Sequence, residues 1–266
     1  MSTLALDHVV IYVPSLEQAV EQFTGLGFTV YLGGEHNYTQ NALIILSDQF
    51  YIELLSLKAT WRRPLLLLAA HCGLIDLIAN TKSDISWRLL RWITQPYGAI
   101  DWCLRTDNIN QLLNDFLPAD IPILKSLGYQ RRRKDGEIVA WTLGGVKHAD
   151  LPYFIEDKTS IACRIPLGSH TNHINGASRL RSINLATNDS FQSACYFSAL
   201  SGSAIKESKK DCLQFTIGDA MIDYSERTKA VGAFSLDIHY NGHEPVMLDV
   251  RKTYGVRIRL VPIDNR

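Results

Sequence analysis

Residues 6–30, LDHVVIYVPSLEQAVEQFTGLGFTV, decide the fold. Leu6, His8, Val10 and Tyr12 alternate with Asp7, Val9, Ile11 and Val13, the two-residue period of a strand. Pro14-Ser15 ends the strand, and Ser15 is a helix N-cap. Leu16, Ala19, Val20 and Phe23 then recur at helical spacing, until Gly25 and Gly27 close the helix. Apolar runs follow at 28–32, 42–46 and 50–57, the last two separated by the turn Ser47-Asp48-Gln49. The unit reads strand, helix, strand, strand, strand.

The order recurs downstream. Residues 99–107, AIDWCLRTD, read as a strand, followed by a helix with Ile109, Leu112, Leu113 and Phe116 on one face. Asp135-Gly136 marks a hairpin between 130–134 and 137–143, and 152–158 completes a second unit. A third unit starts at Leu180–Thr187 and continues as a helix to Leu200. His8 precedes Phe23, Asp101 precedes Phe116 and Ser182 precedes Phe197 by the same 15 residues, which favours a repeat over coincidence. Residues 58–98 interrupt the pattern as a helical insertion. Pro64 opens one helix, and Ser83 or Asp84 caps another with Ile85, Leu89, Trp92 and Ile93 on one face. We read the insertion as a packing or dimer element in preference to a lid. The expected fold is α+β: tandem βαβββ modules forming cupped mixed sheets, with one domain over 1–160 and a smaller related one over 161–266.

The 266 residues carry 27 Lys+Arg against 27 Asp+Glu, with 46% hydrophobic and 20% charged residues. This is ordinary globular composition, with no electrostatic footprint for nucleic acid or an anionic membrane. The apolar stretch 65–79 is broken by His71, Cys72 and Asp76 and is too short to span a bilayer. No basic n-region or cleavage site marks a signal peptide. The five cysteines form no CxxC pair, so reduced thiols and a cytoplasmic location are expected. GxGxxG, GxxxxGK[ST], GxSxG and HExxH are all absent, which leaves the kinase, simple nucleotide-binding, α/β-hydrolase and zincin readings weak.

A pair of βαβββ units makes a cupped sheet whose concave face is a natural pocket. First and last strands put His8 and Glu53 on that face. The shared spacing matches Asp101 to His8, and aligning YIE (51–53) with FIE (154–156) matches Glu156 to Glu53. Ionisable groups inside an apolar sheet are costly unless they pair or hold a cation. One imidazole with three carboxylates suits a hard or borderline divalent ion. His8, Glu53 and Glu156 are therefore candidate metal ligands, with Asp101 a weaker fourth. Two plainer readings stand beside this: His8 and Glu53 bonded to each other without metal, and Asp101 turned to solvent by a slip of strand parity.

His36 is a candidate acid/base and Asn41 an orienting donor, with Thr39 beside them as a substrate contact; ordinary turn chemistry is the alternative. Trp102, Trp141 and Phe154 are candidates for an aromatic wall, or plain core. In the run 131–134, RRRK, an inward Arg132 or Arg133 would clamp an anion, while the rest protects an edge strand. His170, His173 and Asn175 read as structural or as a pocket rim.

The stretch 6–30, then GGEHNYTQNALIIL (33–46), YIELL (51–55), GAIDWCLRTDNI (98–109), GYQRRRKDGEIVAWTL (128–143) and LPYFIEDK (151–158), resembles the vicinal oxygen chelate superfamily, and in particular its glyoxalase-like branch. The match covers roughly the first 160 residues, and the part after HINGA (173–177) resembles a further, shortened unit. The resemblance implies paired modules around a pocket. In metal-using members a divalent ion there binds substrate oxygens, and the ligand positions match His8, Glu53 and Glu156. Asp101 stands where glyoxalases and extradiol dioxygenases usually have His, so fewer imidazoles are present than those enzymes use. The expected function is a metalloenzyme using Mn, Fe, Ni or Zn on a small oxygenated organic substrate, of lyase/isomerase or dioxygenase type. The ion would chelate two vicinal oxygens and stabilise an enolate-like anion. The alternative is a metal-free small-molecule-binding protein of the bleomycin-resistance type. A third reading gives the last unit a structural role as a homodimer interface.

Overall fold

The stretch 6–30 folds as β1 (Leu4–Tyr12) and α1 (Leu16–Gly25). The Ser15 hydroxyl accepts from the Gln18 N–H at 3.3 Å, and Ala19 and Phe23 are buried one turn apart. β2 (Tyr31–Glu35), β3 (Thr39–Ile45) and β4 (Tyr51–Leu57) complete the first unit. The computed structural model describes residues 3–35, 38–115, 121–133, 136–208, 212–226 and 234–263. Phe116 and Asp135, used above to read the second unit, and His36 lie outside the described residues.

The insertion forms three helices: α2 (Arg63–His71), with Pro64 in its first turn, α3 (Leu74–Asn80) and α4 (Ser86–Trp92). Asp84 accepts from the Ser86 N–H at 2.8 Å. The second unit is β5 (Gly98–Thr106), α5 (Ile109–Asp115), β6 (Ile123–Arg132), β7 (Ile138–Val146) and β8 (Tyr153–Asp157). All eight strands form one sheet, in the order β2-β3-β4-β1-β5-β8-β7-β6. Each unit pairs its first and last strands in parallel, and the two first strands, β1 and β5, meet antiparallel at the centre.

After α6 (Ile161–Arg164) come β9 (Ala177–Thr187), α7 (Ser190–Ser201), β10 (Lys206–Ser208), β11 (Cys212–Ile217), β12 (Ala220–Glu226), β13 (Phe234–Tyr240), β14 (Val246–Met247) and β15 (Ile258–Pro262). Their order, β10-β11-β12-β9-β13-β15-β14, repeats the first seven positions of the other sheet. The C-terminal part thus holds a full βαβββ unit and a reduced fourth one without its helix. Among the described residues no single helix is long and apolar enough to cross a membrane; the bent pair 60–71 and 74–80 passes that test only jointly, across a 79° bend.

Strand alternation divides the first sheet. Val9, Ile11, Ile52, Leu54, Trp102, Leu104 and Phe154 face α1 and α5 and share one core with Ile183, Phe197, Phe215 and Tyr224 of the C-terminal part. Each fully buried side chain of this kind stabilises the fold by about 1.5–3 kcal/mol. Trp102 and Phe154 therefore pack in this core and face away from the cup, because they alternate with Asp101, Cys103, Tyr153 and Ile155 on the opposite face. Trp102 packs 5.6 Å from the Phe197 ring. The concave face is partly filled by the insertion: Ala79, Ile85 and Trp87 pack on Val10, Leu55, Cys103, Tyr153 and Ile155.

Candidate functional site

The concave face is built around His8. β1 bulges between Leu6 and His8 against β5. The bulge returns Leu6 to the helix-bearing face and brings Asp7 beside His8. Asp7 is fully buried, and its Oδ1 takes the His8 Nδ1 hydrogen at 2.6 Å. Arg164, carried by α6, donates to both Asp7 oxygens at 2.9 and 2.8 Å and to Asp157 at 2.7 and 2.9 Å. Burial pushes the Asp7 carboxyl up, but Arg164 and the His8 contact outweigh it and hold the group well below the usual carboxylate range. An anionic carboxylate only accepts, so Nδ1 carries the hydrogen. The Tyr153 phenol meets the other ring nitrogen, Nε2. The imidazole stacks on Tyr51 at 4.5 Å. Burial raises both Tyr51 and Tyr153 well above the ordinary tyrosine value, so both remain phenols.

Glu53 is beside His8, its Oε2 3.5 Å from Nε2 and its side chain 13% exposed. Asn41 Nδ2 donates to Glu53 Oε1 at 2.6 Å, and the Gly34 N–H donates to Asn41 Oδ1 at 2.8 Å. Asn41 thus orients the carboxylate. A Cβ at Gly33 would collide with the Asn41 side chain, and one at Gly34 would collide with the Arg131 guanidinium. Gly34 is on one edge strand and Arg131 on the other, so the sheet curls until its edges meet around the cup.

The remaining predicted residues go elsewhere. Asp101 faces the cup but is held by Arg88 of the insertion, Nε to Oδ2 at 2.5 Å and Nη2 to Oδ1 at 2.7 Å, and by the Trp92 indole at 2.6 Å. Glu156 is on the other face, accepting from the Ile109 N–H at 3.1 Å at the start of α5 and pairing with Lys158. Val10 faces Glu53 and Cys103 faces Tyr153 across the parallel ladders. Counted along these ladders from Asp101, the place matching Glu53 falls to Tyr153. The YIE/FIE alignment is thus three residues out of step, and an odd slip reverses the face. Arg132 is exposed and donates to the Gly136 carbonyl at 3.1 Å; its neighbour Arg131 is the inward arginine. Trp141 lies on the cup side, its ring 6.3 Å from Tyr129, and Thr39 is half-buried opposite Leu57. His173 accepts from the Thr29 N–H and meets the Ile45 carbonyl, a structural role. Asp7, Arg164 and Tyr153 were not anticipated; the bulge that recruits Asp7 has no sequence signature here.

The profile of the glyoxalase-like domain family matches residues 6–199. The chain belongs to the glyoxalase-like domain family. The match extends beyond the first sheet into β9 and α7. The same fold is seen in a crystal structure of a hypothetical protein from Staphylococcus aureus, with 17% identity, 98% of this chain and 100% of that chain covered, and a TM-score of 0.74. A xylose isomerase-like TIM barrel/4-hydroxyphenylpyruvate dioxygenase fusion protein aligns at 10% identity over 90% of this chain and 38% of its own, with a TM-score of 0.49. No curated protein matches the sequence. This glyoxalase-like chain thus shares a superfamily, the vicinal oxygen chelate proteins, with both metalloenzymes and bleomycin-resistance type proteins.

The donor set of this glyoxalase-like cup fits a divalent ion poorly. Asp7, His8 and Cys103 each offer an atom, all within 4.8 Å. Burial and then the Asp7 charge push the Cys103 thiol well above its ordinary value, while Asp7 is occupied by Arg164 and His8. On the other side of the ring, His8 and Glu53 are two donors where the matching places in the second unit hold an Arg88-paired Asp101 and a phenol. A metal at Nε2 would have to displace the Tyr153 hydroxyl.

Proposed function

We propose that the cup of the first sheet is a metal-independent site for a small oxygenated organic molecule. The reading rests on one observation: two of its three acidic groups already have fixed cationic partners, Asp7 with Arg164 and Asp101 with Arg88. Buried guanidiniums that neutralise carboxylates leave little net negative charge for a divalent ion. Glu53, oriented by Asn41 and partly exposed, is the group left to accept a ligand hydroxyl or to take a proton. Tyr153 and His8 supply a hydrogen-bonded pair beside it, with Asp7 holding the imidazole through Nδ1. Trp141 and Ile155 line the same face. His36, beside this mouth in sequence, is retained as a candidate acid/base and Thr39 as a ligand contact.

A second reading is a divalent-metal lyase, isomerase or dioxygenase with His8 and Glu53 as ligands. The 3.5 Å separation of Nε2 and Oε2 favours it, because donors bound to one ion at about 2.0–2.2 Å stand roughly 3–3.5 Å apart. The carboxylate behind Nδ1 is also a common outer partner of a metal-bound histidine. Isothermal titration of small 2-hydroxy acids separates the two readings. Binding that survives exhaustive EDTA dialysis and is lost in Glu53→Ala supports the metal-free site; binding only on adding Mn, Fe, Ni or Zn supports the enzyme.

The five cysteines are free thiols, which supports a cytoplasmic setting. Leu65, Leu68 and Leu77, exposed on α2 and α3, support pairing of two copies through the insertion. Residues 1–160 and 161–266 are proposed as the two domains.

A further inference from the structure

We infer that Arg131 is the anion anchor of the cup, and that the ligand is a monocarboxylic acid with an apolar body. This rests on the reading of the cup as a ligand site. Arg131 is on β6 opposite Val139, on the face that carries the Tyr129–Trp141 pair. Its guanidinium reaches across the closing edges of the sheet to the backbone of Gly34. Gly34 in turn donates to Asn41, which orients Glu53. Contacts therefore run without a gap from Arg131 to the His8–Glu53 pair.

The cup's two buried arginines are committed. Arg88 grips Asp101 and the Leu151 carbonyl, and Arg164 bridges Asp7 and Asp157. Among the described residues Arg131 has no carboxylate partner, and its Nε is buried without a hydrogen bond. A buried guanidinium donor without an acceptor is costly, and a planar carboxylate fits the guanidinium fork. One such cation next to the unneutralised Glu53 suits a monoanion better than a dianion. The stacked Tyr129–Trp141 pair, 6.3 Å between ring centres, offers the apolar wall for the rest of the molecule.

The test uses the full chain after EDTA dialysis, titrated with mandelate, lactate and phenylacetate and with the corresponding neutral amides. Affinity is read by calorimetry and location by the His8 imidazole NMR signals. The expected result is that an acid binds at least tenfold more tightly than its amide, with His8 perturbed. Arg131→Gln should remove that tenfold preference and leave amide binding within twofold, and Arg131→Lys should recover only part of it. Gly34→Ala, which displaces the guanidinium without deleting it, should act like Arg131→Gln and guards against a folding defect in that variant. Acids that perturb His8 but bind Arg131→Gln unchanged would overturn the anchor and leave the site intact. Acids and amides that all leave His8 unperturbed would overturn the site and the anchor together.

Discussion

Asp7 and His8 are consecutive residues that face the same way, because β1 bulges against β5 between Leu6 and His8. Their 2.6 Å contact fixes the imidazole tautomer, and Arg164 fixes Asp7 from the other side. The catalytic or binding potential of His8 thus depends on a residue that strict alternation would point away from it.

Asp7→Asn should destabilise the protein by about 3–5 kcal/mol, the usual cost of leaving a buried charge without its partner. The pH dependence has a definite sign. The folded-state pKa of Asp7 is depressed, so its contribution is fully present above the unfolded value near pH 4 and fades as pH falls through the folded value. Urea denaturation across an acid series should therefore show a shallower loss of stability below about pH 4 in Asp7→Asn than in the parent. Equal slopes would show that the Asp7–Arg164 pair does not contribute.

Arg88→Met should loosen α4 from the cup. It leaves Asp101 buried and unpaired, with an expected loss of about 3–5 kcal/mol, and Arg88→Met/Asp101→Asn should regain a large part of it. Hydrogen exchange should rise first in 74–92. Exchange rising evenly over the whole chain would argue that the insertion is not a separately opening element.

Tyr153→Phe deletes the hydroxyl that meets His8 Nε2. The expected cost is about 1–3 kcal/mol for an unsatisfied buried acceptor. The His8 ring NMR signals should also move, with Asp7 still in place. Unchanged His8 signals would remove Tyr153 from the network.

Much of this architecture was legible in the chain itself. The Ser15 cap, the Ala19 and Phe23 spacing and the strand runs reappear as α1 and β1–β4, because local periodicity and capping are short-range physics. The family resemblance over the two units is matched by the profile. Site residues were harder, because they depend on register. His8, Glu53 and Asn41 do meet. Glu156 and the aromatic pair Trp102 and Phe154 do not join them, since strand parity turns all three to the other face. Arg131 rather than Arg132 points inward for the same reason. Asp101 faces the cup as expected, but Arg88, 13 residues before it within the insertion and outside the repeat, occupies it. α3 has no start signal of its own in the sequence: Gly73, in the left-handed region at φ +73°, begins it without a capping side chain in the middle of the 65–79 stretch.

The most direct test is the metal content of protein purified without chelator or nickel column, by elemental mass spectrometry, beside His8→Ala/Glu53→Ala. The expected result is no stoichiometric divalent ion in either protein, even after soaking with Mn, Fe, Ni and Zn. Near one ion per chain in the parent, lost in the folded double variant, would contradict the metal-free site and establish His8 and Glu53 as ligands.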